Sequence, residues 1–212
     1  MKNTLIKVFI CVQAAIYLAF TAMDLLNASG SKTLKFAGML LCFAFSAYLS
    51  ASGGEKTVTW AIGFSLLADV LLLLLERYYA VGIGLFCVVQ TVYFLRIYRA
   101  NGHKAAIPAR ITAFLAAICV IAALKMLQPL NVLAVVYFTF FLCNVVQSYS
   151  IKNRLFSIGL CLFICCDVCV GLYSLPLADT VHALVGMGMW TFYLPSQVLI
   201  TLSGREPDEQ AA

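Results

Sequence analysis

The chain has 212 residues, of which 63% are hydrophobic and 11% charged, with a formal net charge of +5. A soluble domain carries about 25% charged residues, and a mean hydropathy of +0.98 is more apolar surface than a globule of this size can hide. These values exclude a soluble enzyme and, with the positive charge spread along the chain, a nucleic-acid binder. They predict an all-α polytopic membrane bundle.

A helical span needs about 20 mainly apolar residues. Eight such runs follow in order, over about 4–26, 34–52, 58–75, 79–99, 107–126, 129–147, 154–175 and 182–203. They are continuous rather than alternating, so they read as helices that satisfy their own backbone groups, not as barrel strands. Residues 1–204 then form one integral membrane domain, and 205–212 a polar tail.

The first run follows Lys2 and Lys7 but is long, with no small-x-small site before Asp24, and so reads as a retained helix rather than a cleaved signal. Pro108 and Pro129 sit near helix starts, where proline is tolerated. With the N-terminus inside, Lys2, Lys7, Lys56, Arg96, Arg99, Lys104, Arg110, Lys152, Arg154 and Arg205 face the cytoplasm; Lys32, Lys35, Arg77 and Lys125 face outward. That bias places both termini in the cytoplasm, and the compact, loop-poor layout suits a bacterial inner membrane.

The basic stretch ANGHKAAIPAR at 100–110 divides the spans into two sets of four. Shifting the chain by 98 residues lays Asp167 on Asp69 within matching third helices, SLLADVLLLL against FICCDVCVGL. Four spans per half would make parallel repeats.

Asp69 and Asp167 are the candidate functional residues, because an aspartate at the centre of a bilayer costs roughly 2.5–3.5 kcal/mol and is kept there for a reason. Counted from their helix ends, the two lie at similar depth. Ser65 and Glu76 share the Asp69 face. Other polar stripes are Gln13, Tyr17 and Asp24 in the first span, Gln90 and Tyr93 in the fourth, Tyr137 and Asn144 in the sixth, and Trp190, Tyr193 and Gln197 in the eighth. These sides are expected to converge on one interior, although the amides also suit interhelical hydrogen bonding alone. Asp24, Lys32, Lys35, Glu76 and Arg77 also read as solvated helix ends, and Trp60 as an interface anchor. The nine cysteines are scattered through the spans and read as small apolar residues, so no metal is expected.

SKTLKFAGMLL with Lys32 and Lys35, FSLLAD with Ser65 and Asp69, QTVY with Gln90 and Tyr93, CCD with Asp167, and TFYLPSQVLI with Tyr193 and Gln197 together resemble the YhhN-like lysoplasmalogenases. These are multi-pass membrane hydrolases, and the order of motifs covers nearly the whole chain. Here Ala68 stands for the family's glycine, Cys166 for its serine and Gln90 for its histidine, and no proline follows Lys32.

The resemblance implies cleavage of the vinyl ether bond of a lysoplasmalogen, with Asp69 and Asp167 as an acid/base pair. Ser65, Gln90, Tyr93, Asn144, Tyr193 and Gln197 would line the substrate site; Lys32 or Lys35, with Asp24, would meet the headgroup. The implied partners are a lyso-ether phospholipid and the bilayer, without metal or organic cofactor. The alternative reading of the same residues is a non-enzymatic lipid-binding protein or a proton-coupled transporter.

Overall fold

The computed structural model of the protein describes every residue except 1, 27, 102–105, 124, 126–127, 177 and 206–212, and of Lys2 and Ala106 only the backbone. The polar tail therefore lies outside the described residues beyond Arg205, as do His103 and Lys104 of the basic loop.

Eight helices follow the apolar runs: α1 (Lys2–Leu25), α2 (Ser31–Ala51), α3 (Lys56–Asp69), α4 (Tyr79–Asn101), α5 (Ala106–Ala123), α6 (Pro129–Ser148), α7 (Arg154–Tyr173) and α8 (Asp179–Leu202). A π-helical turn, Val70–Leu74, closes α3. Counting that turn with α3, seven helices are long and apolar enough to cross a bilayer; the apolar part of α5, Ile107–Ala123, is shorter. At 1.5 Å per residue it spans roughly 26 Å, a few ångströms under a typical hydrocarbon core. The protein is a multi-pass integral membrane protein.

Neighbouring helices close a ring in the order α2, α3, α4, α6, α7, α8 and back to α2. α1 lies outside the ring in the groove between α2 and α8, and α5 lies outside against α6. The polar stripe of α1 accordingly meets α2 before any interior: the Gln13 amide donates to the Gly38 carbonyl at 2.9 Å and to Cys42 Sγ at 3.2 Å.

The most extensive helix pair is α7 with α8, and a small residue allows it. A Cβ on Gly159 would stand 2.7 Å from Ile200 Cγ1 and 3.1 Å from the Ser196 carbonyl oxygen. Close backbone approach at small residues is how membrane helices gain packing where lipid supplies no hydrophobic drive.

One end of the ring is sealed by Arg96. Its guanidinium is 5% exposed, donates to Ser203 Oγ at 2.8 Å and to the Ser203 carbonyl at 2.7 Å, pairs with Glu55, and lies 4.2 Å from the centre of the Phe156 ring. Asn153 Nδ2 reaches the same Ser203 carbonyl at 3.0 Å. One cation thus ties together α4, the start of α3, the start of α7 and the end of α8. Arg96, which the sequence marks only as a cytoplasmic-side charge, is buried as a clasp between helices. At the other end Lys35 pairs with Asp24 and Lys32 with Glu76; the two ends are named here for Arg96 and Lys35.

Candidate functional site

Both aspartates turn into the ring, and each meets a tyrosine from a facing helix. Asp69, 5% exposed, sits at the last α-helical residue of α3. The Tyr193 hydroxyl of α8 donates to its two oxygens at 2.9 and 3.1 Å. Asp167 on α7 is half-buried, and the Tyr137 hydroxyl of α6 donates to its Oδ2. Phe163 packs on Tyr193 and on Phe141, and Phe141 packs on Tyr137, so the two Asp–Tyr pairs border one aromatic cluster in the interior.

Aromatic rings pack around these pairs. Phe163, one turn before Asp167, has its ring centre 5.5 Å from that of Tyr193 and 4.9 Å from that of Phe141. Phe86 touches both Tyr137 and Phe163, at 6.1 and 5.7 Å. Such walls lower the local dielectric and strengthen whatever charge interactions form between them.

The π-helical turn begins on the residue after Asp69. π-bulges recur at functional positions because they shift the register of the side chains that follow. Glu76 lies beyond the turn, where the helix has ended, and meets exposed Lys32 instead of sharing the Asp69 face that regular spacing predicts. The turn runs into Glu76 at φ 49° and Tyr78 at φ 58°, left-handed conformations that a non-glycine residue adopts at a cost of order 1 kcal/mol or more.

One helical turn toward the Arg96 end lies a second polar layer. Ser65 precedes Asp69 by four residues and Gln197 follows Tyr193 by four; both are fully buried, as are Gln90 and Tyr93. Asn144 Nδ2 donates to Gln90 Oε1 and to the Gln90 carbonyl, each at 2.8 Å. That occupies Gln90 Oε1, while Gln90 Nε2, beside the Tyr137 hydroxyl, makes no hydrogen bond of regular geometry among the described residues. Among the described residues Ser65 Oγ, Tyr93 Oη and Gln197 Oε1 are likewise buried without hydrogen-bond partners. Unspent hydrogen-bonding capacity of this kind is rare in a native interior and marks a place for water or a polar ligand.

The predicted residues thus divide. Asp69, Asp167, Ser65, Gln90, Tyr93, Tyr193 and Gln197 line the interior, and Asn144 stands behind Gln90. Asp24 and Lys35 lie at the Lys35 end, their charges 2.7 Å apart. The Lys35 ammonium is 5.5 Å from the Phe20 ring and 5.4 Å from that of Trp190, and Trp190 packs on Tyr193 at 5.2 Å. A continuous run of contacts therefore joins Lys35 to Asp69, whereas Lys32 stays at the surface with Glu76. Tyr137 was placed on the sixth-span stripe but not among the site residues; its spacing marked the face without marking the Asp167 contact. Among the described residues no group of three His, Cys, Asp or Glu side chains is arranged to hold a metal ion.

Residues 30–204 match the model of the YhhN family. The chain belongs to the YhhN family. The YhhN match takes in α2 to α8, and with them both aspartates, Lys32 and Lys35, while leaving α1 and Asp24 outside. No curated protein and no solved structure matches the chain.

Proposed function

We propose that the protein is a membrane ether hydrolase that cleaves the vinyl ether of a lysoplasmalogen, releasing a fatty aldehyde and a glycerophospho-alcohol. Membership of the YhhN family, which includes lysoplasmalogenases, supports the class of reaction. The observation that carries the chemistry is the pair of inward carboxyls, each held by one tyrosine, beside a layer of unpartnered polar atoms.

Vinyl ether hydrolysis starts with proton transfer to the carbon β to the ether oxygen. The C=C electron pair takes the proton, and the oxygen lone pair stabilises the oxocarbenium ion that results. Water then adds to the carbon bearing oxygen and gives up a proton, forming a hemiacetal. The hemiacetal hydroxyl proton passes to the glyceryl oxygen as the C–O bond breaks, leaving aldehyde and alcohol. One carboxylic acid and one carboxylate divide this work, as they do around a glycosidic bond.

Hydrogen bonding supports a division of roles. Asp69 accepts on both oxygens from Tyr193, which suits the carboxylate that stabilises the cation and takes the proton from water. Asp167 accepts on Oδ2 only, leaving Oδ1 to carry the proton to carbon. Gln90 Nε2 and Tyr93 Oη orient the ether oxygen, and Ser65 and Gln197 hold the water. At the Lys35 end, the Lys35–Asp24 pair suits a zwitterionic headgroup, phosphate on the ammonium and amine on the carboxylate. Both termini lie in the cytoplasm in this account, and the host membrane is a bacterial inner membrane.

The test is aldehyde release by the purified protein in nanodiscs, from a lysoplasmalogen and from the matching saturated alkyl-ether lysolipid. The vinyl ether is turned over and the alkyl ether, which has no carbon to protonate, is not. No aldehyde from vinyl ethers of several headgroups removes the hydrolase reading and leaves a lipid-binding role.

A further inference from the structure

Arg110 lies near the start of α5, away from the aspartates, and its surroundings have no counterpart elsewhere in the bundle. Among the described helices the backbone of α5 neighbours only that of α6, yet this arginine is 7% exposed and reaches Phe94 of α4. Nη2 donates to Asn144 Oδ1 at 2.7 Å and to Gln147 Oε1 at 2.5 Å, and Nε to the same Gln147 oxygen at 3.1 Å. The guanidinium carbon stands 4.3 Å from the Phe94 ring centre and 4.8 Å from that of Phe140. Nη1 is buried without a partner.

The described carboxylates are engaged elsewhere. Glu55 holds Arg96, Asp24 holds Lys35, Glu76 holds Lys32, and Asp69 and Asp167 take their tyrosines. Asp179 opens α8 at the opposite end of the bundle. A buried cation without an anion is expensive in a membrane. Beside it the α5–α6 cleft widens into a cavity of about 270 Å³, walled by Ile111, Phe114, Val136, Thr139, Phe140 and Cys143 with Arg110 among them. Its walls are almost wholly apolar. A positive charge with no carboxylate partner among the described residues, adjoining an apolar slot on a lipid-facing helix, calls for a ligand that is anionic at one end and hydrocarbon along the rest. Basic pockets between membrane helices meet that demand with anionic headgroups.

We propose that the α5–α6 cleft is a binding site for one anionic phospholipid, its phosphate on Arg110 and an acyl chain along Ile111, Phe114 and Val136. The bound phosphate would extend the hydrogen-bond chain that runs from Arg110 through Asn144 to Gln90 at the edge of the polar layer. The site stands whether or not the aspartates hydrolyse an ether.

The experiment is native mass spectrometry of the full chain released from detergent after incubation with phosphatidylglycerol, phosphatidylcholine or inorganic phosphate. One retained phosphatidylglycerol is expected, with at least tenfold lower occupancy by phosphatidylcholine and no displacement by millimolar inorganic phosphate. Val136→Trp fills the slot without touching any Arg110 hydrogen bond, and Arg110→Gln removes the charge; each is expected to abolish retention while helix content by circular dichroism is kept. Should Arg110→Gln fail to fold, Val136→Trp and the headgroup comparison decide alone. Equal retention of phosphatidylcholine would overturn the charge recognition. Full displacement by inorganic phosphate, or undiminished binding by Val136→Trp, would overturn the lipid slot.

Discussion

The two four-helix halves share a scaffold and differ in what they hold. Shifted by 98, α2 (31–51) becomes 129–149 against α6 at 129–148. α3 with its π-turn (56–74) becomes 154–172 against α7 at 154–173. Neighbour relations shift in the same way: α3 packs on α4 as α7 packs on α8, and α4 meets α6 as α8 meets α2. The carboxyls keep equivalent places, Asp69 and Asp167. Their tyrosines do not, because the positions equivalent to Tyr193 and Tyr137 (193 − 98 = 95 and 137 − 98 = 39) hold Leu95 and Met39.

Asp69 takes its partner from the other half, across the ring, and is followed by a π-turn; Asp167 takes its partner from its own half, and its helix continues regularly. A repeated scaffold offers two like groups, and unlike surroundings give them unlike roles. In the proposed mechanism that difference lets two carboxyls serve as acid and base in one site.

Removing either carboxyl breaks this comparison most severely. Asp69→Asn and Asp167→Asn are each expected to lower kcat for aldehyde release about 10²–10⁴-fold, the usual range for one acid or base. Melting temperatures measured beside the rates separate chemistry from folding.

The tyrosines sharpen the comparison. Tyr193→Phe removes the hydroxyl shared by both Asp69 oxygens and Tyr137→Phe one bond to Asp167, so the first is expected to cost more. A hydrogen bond to a charged group is worth about 1.5–3 kcal/mol, or roughly 10–100-fold in rate. If Tyr137→Phe were the more damaging in a steady-state assay, the assignment of carboxylate and acid would be reversed.

The lysines differ least. Lys35→Gln is expected to raise KM about 5–10-fold with kcat nearly unchanged, the signature of lost headgroup binding that is equal in ground and transition states. Lys32→Gln, at the exposed Glu76 pair, should leave both constants within about twofold. Equal KM effects from the two would dissolve the distinction drawn between them.

The sequence made the spans legible to within a few residues, as in 79–99 for Tyr79–Asn101, because continuous hydropathy is a strong signal when lipid is the solvent. Asp69 and Asp167 stood out for the same reason. Three features did not. Arg96 and Arg110 read as cytoplasmic-side charges with no sign of burial, since near a helix end a snorkelling arginine and an inward one look alike in a hydropathy trace. VLLLL carries no marker for the π-turn or for the helix end at Leu75, so helical spacing put Glu76 on the Asp69 face. Asp24 and Glu76, which also read as solvated helix ends, carry ion pairs to Lys35 and Lys32; residues joined across helices leave no local pattern.

The most direct check on the paired carboxyls is hydrolysis of a lysoplasmalogen in D2O, with the aldehyde weighed by mass spectrometry within one turnover. The account predicts one deuterium on the carbon beside the carbonyl in the parent product, and product formation too slow to detect on that timescale in Asp69→Asn and Asp167→Asn. Labelled aldehyde released by either variant at the parent rate would contradict it.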